Sequence, residues 1–117
     1  PNLVVTAGKN YIASRIKDAT ATAMTHMAIG TGTTSAAAGD TTLGTEGGRV
    51  SLSGSVVSTN TITYTATFPA GTGTGAVTEA GIFNASSGGT LLCRTTFPAV
   101  NKASGDSIAI TWVVTVS

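Results

Sequence analysis

Charge is what this sequence has least of. Only 9% of its 117 residues are Asp, Glu, Lys or Arg, against about 25% in ordinary globular chains. Six cations oppose five anions. Cations so few and scattered cannot neutralise a run of phosphates, so nucleic acid is not expected as a partner. Histidine and cysteine each occur once, as His26 and Cys93. A lone cysteine excludes a disulfide framework and suits a reducing interior. No stretch of about 18 residues is apolar throughout, so no membrane-spanning helix and no membrane partner are expected. General acid–base chemistry needs titratable groups gathered in a pocket. So few such groups favour a binding or structural module over an enzyme.

The start, PNLVVTAGKNYIASR, has no basic segment followed by an apolar core, so no secretory leader is expected. Pro1 reads as the residue left when an initiator Met is removed. Hydrophobic residues still reach 41%, enough to exclude a disordered chain. The length suits one domain spanning 1–117.

Residues 6–18 carry the one good helical pattern. Ile12 and Ile16 lie four apart with Ala13 beside them, and Thr6 is placed to cap the first turn. Gly8 weakens that turn by about 1 kcal/mol relative to Ala. From Met24 the period changes to two, with Met27 and Ile29 alternating with His26 and Ala28. Segments 49–57 and 61–69 read as an antiparallel hairpin broken at Thr59-Asn60. In TITYTATF, Ile62, Tyr64, Ala66 and Phe68 share one face and four threonines the other. Residues 79–84 and 90–97 form a second hairpin. In 106–116, Ile108, Ile110, Trp112, Val114 and Val116 share a face. The fold class that follows is mainly β: an antiparallel β-sandwich or small barrel with one N-terminal helix.

Two segments are left over. Residues 1–5 read as an extended arm, and Leu3-Val4-Val5 is an apolar run too short to fold alone. Residues 31–48 form a connection longer than compact domains usually tolerate without a task. Leu3, Val4, Val5, Thr41 and Leu43 are therefore the expected contacts with another subunit or a partner. Arg49, Glu79 and Arg94 are rare charges within strands or at their ends. A partly buried glutamate–arginine pair, Arg49–Glu79, is expected to pin two strands or two subunits.

The remaining motifs carry little chemistry. Gly30-Thr31-Gly32 and Gly71-Thr72-Gly73-Thr74-Gly75 lack the following helix and lysine of a phosphate loop. Ser14, Asp18 and His26 have no nucleophile elbow to order them as a triad. His26 and Cys93 show no metal-ligand spacing. No cofactor, metal or catalytic residue is expected. His26 is expected on a hydrogen-bonded or solvated face, and Cys93 as a small buried hydrophobe.

A resemblance adds to this. Thr25-His26-Met27-Ala28-Ile29-Gly30-Thr31-Gly32, then Asp40-Thr41-Thr42-Leu43-Gly44-Thr45-Glu46 leading to Arg49, resembles small virion proteins of tailed bacteriophages. So does Thr78-Glu79-Ala80-Gly81-Ile82-Phe83-Asn84, followed by Gly89-Thr90-Leu91-Leu92 and a closing Thr-Trp-Val-Val-Thr-Val. The order is similar to the N-terminal domain of phage tail-collar fibre proteins. Stand-alone modules of this size resemble capsid decoration (cement) proteins, which are β-rich and commonly trimeric. The resemblance implies a virion structural protein assembled in the host cytoplasm. It implies partners among its own copies, as a trimer, and the major capsid protein or other virion proteins. A tail-fibre, collar or baseplate adaptor is the alternative. A small-ligand or carbohydrate-binding β-domain is a second, but Tyr11, Tyr64 and Trp112 mostly fall on expected core faces.

Overall fold

The computed structural model describes residues 3–18 and 21–116. Pro1 and Asn2 of the expected arm, and the side chain of Asp18, lie outside the described residues. Strand takes 50% of the chain and helix 11%, so the mainly-β expectation holds. In chain order the elements are β1 (Leu3–Val4), α1 (Thr6–Asp18), β2 (His26–Gly30), β3 (Glu46–Ser51) and β4 (Gly54–Ser58). β5 (Thr61–Phe68), β6 (Gly75–Phe83), β7 (Leu91–Lys102) and β8 (Ile108–Thr115) follow. They form two antiparallel sheets, one ordered β1-β7-β6-β2-β3 and the other β4-β5-β8. Of the two architectures expected, this is the sandwich.

The alternating strands do what their period dictates. Tyr64 opposes Trp112, Ala66 opposes Ile110 and Ile62 opposes Val114, so the apolar faces of β5 and β8 coincide. Ile82 opposes Met27 and Ala80 opposes Ile29 in the larger sheet. These two faces meet, and with Phe68, Val77, Leu92 and Cys93 they make the main core. Burial pushes the Cys93 thiol up to about 12, so it packs as a hydrophobe and stays protonated. The threonines of β5 line up with Thr111, Val113 and Thr115 on the outer face of the small sheet.

Helix α1 has the expected bounds but a different buried face. Gly8 is buried, and Tyr11 and Ile12 pack on the core, while Ile16 is 80% exposed. Gly8 decides this orientation. A Cβ there would collide with the Leu92 backbone, so only glycine lets the first turn lie directly on β7. The helix-weakening glycine is a packing requirement. The cap position falls on Val5, whose carbonyl accepts from the Lys9 N–H, while the Thr6 N–H donates to the Ala38 carbonyl.

The single strand expected over 49–57 is two strands in different sheets. The Leu52 N–H donates to Thr25 O, at the start of β2, and the next N–H, of Ser53, donates to Thr65 O on β5. The chain changes layer between these adjacent residues, so β3 pairs with β2 and only β4 pairs with β5. The second Gly-Thr loop is also shorter than expected, because β6 already begins at Gly75.

The β4–β5 turn is two residues, Thr59-Asn60, and Thr59 has φ 51°. A β-branched side chain there crowds the following carbonyl. Asn60 holds the turn, its carbonyl accepting from the Val116 N–H and its side-chain amide donating to Val116 O. Thr59→Gly relieves the crowding and is expected to raise stability by about 1 kcal/mol, read as a higher urea midpoint.

Candidate functional site

Two places in the fold differ from plain sandwich: a buried charge cluster and a largely apolar flank, lined by one charged residue, Arg15.

The cluster grows from alternation on β6. Ala80 and Ile82 point into the core, so Glu79, Gly81 and Phe83 point the other way, with Gly30, Ala28 and His26 beside them on β2. This outer face of the large sheet is covered by the chain's own residues 31–45. Glu79 fastens them. Its Oε2 accepts from the backbone N–H groups of Gly32 and Thr45, each at 2.7 Å. Its Oε1 accepts from the Gly44 N–H at 2.7 Å and from Arg94 Nε and Nη2 at 3.1 and 3.0 Å. Arg94 also donates to Asp40 Oδ2 at 2.9 Å and to Thr34 O at 2.8 Å. A side chain at Gly32 would fill the space of the Glu79 carboxylate. Glu79 is 0% and Arg94 2% exposed. Burial by itself raises the Glu79 pKa, but the three amides and Arg94 outweigh it and hold the carboxyl below its ordinary value. Both oxygens are fully engaged, so the group stores a charge and has no lone pair spare for moving protons.

The expected Arg49–Glu79 pair is therefore corrected to Arg94–Glu79. Strand order is the reason: β2 lies between β3, which carries Arg49, and β6, which carries Glu79. Arg49 pairs with Glu46 through two bonds of 2.8 and 2.7 Å. It donates to the Ala85 and Gly88 carbonyls and lies 3.7 Å from the Phe83 ring centroid, fixing the β6–β7 turn. Lys102, 2% exposed, similarly donates to the Pro69 and Asp106 carbonyls and ties two loops.

Four of the five expected contact residues are also relocated. Leu3 pairs with Arg94 and Val4 with Cys93, so the arm adds a strand to its own sheet. Val5 is 0% exposed and Leu43 5%, both packed with Ala28, Phe83 and Leu91. An apolar run needs a sheet edge, and the chain provides one itself. Of the five, only Thr41 is exposed.

The exposed apolar surface is elsewhere. Ile16, Val57 and Val116 line one groove of about 490 Å³ between α1 and the small sheet, with Tyr11, Ile62 and Val114 at its base. Val56 stands beside it on β4, 65% exposed. A second cleft, about 390 Å³, opens between the sheets against Ile29, Phe97, Val100, Ile110 and Trp112. Tyr64 and Trp112 are each 6% exposed, so neither offers a carbohydrate a stacking face. His26 contacts Thr25 Oγ1 at 2.7 Å and Ser51 Oγ at 3.4 Å, and neither of these is the Ser14 of the imagined triad. Among the described residues, no three His, Cys, Asp or Glu side chains gather as a metal site.

Sequence reasoning missed Asp40 and Lys102, and it missed β4. Asp40 answers to Arg94, 54 residues on, and Lys102 to Pro69, 33 residues back, as well as to the nearby Asp106. β4 was hidden because period two continues across the change of layer. No family, curated protein or solved structure matches the chain.

Proposed function

We propose that this chain is a non-enzymatic virion structural protein of a tailed bacteriophage, a decoration or cement protein that stabilises the head lattice. The observation that carries the reading is the small sheet. It has no charged residue; Ile16, Val57 and Val116 are exposed along the groove at its inner face, and Val56 is exposed on its outer face. Exposed apolar surface of this kind marks an interaction site, and the lack of charge on the sheet favours recognition by shape and backbone pairing. The charged side chains of the Glu79 cluster and of Arg49 serve the fold, and the motifs described above point to virion proteins. Its partners are copies of itself and the major capsid protein.

The test is to add the labelled chain to heads of the phage that encodes it and image the particles. Label spread over the head, at a copy number matching the capsid lattice, is the expected result. Label confined to the tail would make the chain a collar or baseplate adaptor, and no label would refute a virion role.

A further inference from the structure

We infer that the free edge of β4 is a twofold contact on which a second copy of this chain pairs antiparallel, β4 against β4, centred on Val56. This rests on the reading above, that the chain works by assembly.

β4 is an edge strand that nothing protects. It pairs with β5 on one side, and no described strand lies on the other. Edge strands of monomeric proteins are usually blunted by charge, proline, bulges or shortness. β4 has five residues in unbroken register with β5, and no charge or proline. β3, an edge of the large sheet, carries Glu46 and Arg49, and β1 is only two residues long. The remaining edge, β8, borders the cleft lined by Phe97 and Val100 of its own chain. Both faces of β4 are bare as well: Val56, on the outer face, is 65% exposed, and Val57, on the inner face, 73%.

The chemistry of this edge selects its occupant. With no charge on it, ion pairing cannot choose a partner. A partner must offer an equally uncharged strand with apolar side chains on both faces, and β4 itself meets that description. Antiparallel pairing about Val56 sets Ser55 opposite the partner's Val57, and Gly54 opposite the partner's Ser58. Ser55 and Val57 both line the groove beside α1. Each Val57 then lies beside the other copy's Ser55 on the inner face, at the margin of its groove, while the two Val56 side chains meet on the outer face. One contact covers the exposed Val56 and Val57 of each copy, and twofold symmetry makes the edge its own complement. The small sheets join as one sheet of six strands.

Val56→Cys tests the geometry. Opposed residues of an antiparallel pair lie about 4.5–5.5 Å apart at Cα, within the span a disulfide bridges. Cys93 is 0% exposed and stays out of the reaction. Mild oxidation is expected to convert Val56→Cys to a covalent dimer, with Val113→Cys remaining uncrosslinked. Sedimentation equilibrium should give the unmodified chain twice the 11.5 kDa monomer mass. Val56→Lys, with folding checked by circular dichroism, should be monomeric, because it sets like charges across the axis. Val113→Lys should remain a dimer. A monomeric unmodified chain, a trimer as the resemblance implies, or a dimer lost through Val113→Lys instead would each overturn the contact. Head labelling is measured separately, so the contact can fail while the virion reading stands.

Discussion

Glu79→Gln is expected to cost about 3–5 kcal/mol, the range for breaking a buried charge pair from one side. The replacement keeps the shape and inverts the hydrogen bonding. Oε2 receives two backbone N–H groups, and Oε1 receives one N–H and Arg94. Whichever side the new NH2 takes, it faces at least two donors. Arg94 is left with Asp40 alone as anionic partner. Since domains are stable by about 5–15 kcal/mol in total, the loss is a large fraction. The same carboxylate gives a pH dependence. Its folded pKa lies below the ordinary 4.5, so its contribution is present in full above that value. The contribution fades as pH falls through the lower folded value. Denaturant midpoints between about pH 7 and 3, read by Trp112 fluorescence, should fall toward acid in the unmodified chain and be flatter in Glu79→Gln. Equal slopes would show that Glu79 is not the group responsible.

Trp112→Ala should cost a similar amount, about 3–5 kcal/mol. Trp112 is buried against Tyr64 in the small sheet and borders the cleft with Ile29, Phe97 and Ile110. Truncation extends that cleft, and a sandwich this poor in aromatics has little else to refill it. One detail limits the loss. The indole Nε1 is buried without a hydrogen-bond partner among the described residues. Trp112→Phe removes that unpaired donor and keeps most of the volume, so it should stay within about 1.5 kcal/mol of the unmodified chain. Thermal unfolding followed by circular dichroism separates the two variants. A harmless Trp112→Ala would mean that the two sheets do not pack through this residue.

These two residues also show what the sequence made legible. Trp112 sits on a strand of strict alternation, and its face follows from period alone. The same holds for Tyr64, Ala66 and Phe68, and for Met27 and Ile29. Helix bounds were legible too, from the change of period, although the buried face was not. Ile12 and Ile16 suggest one stripe, but the steric fit of Gly8 on Leu92 rotates the helix to another. Alternation cannot signal a change of layer either. Val50, Leu52 and Val56 keep period two across the crossing at Leu52-Ser53, so two strands read as one. The loop over 31–48 looked unattached because its anchor is far away in sequence. Gly32 and Gly44 reach Glu79 across 47 and 35 residues. The partner of Glu79 was ambiguous for a similar reason. Two arginines lie in strands, Arg49 and Arg94, and only strand order, which composition does not carry, puts Arg94 beside it.

The relocation of the arm matters most for function. Leu3-Val4-Val5, expected to contact another subunit, is instead covered within the chain, where β7 supplies the sheet edge. The proposed contact therefore rests on the small sheet and not on the arm. Such an interface, apolar and backbone-paired, should be nearly blind to salt, unlike one held by exposed ion pairs.

Sedimentation equilibrium of the unmodified chain across ionic strengths from about 0.01 to 1 M tests this most directly. The account predicts a mass that is a multiple of 11.5 kDa and unchanged over that range. A mass of 11.5 kDa at every protein concentration, or an oligomer that dissociates as salt rises, would contradict it.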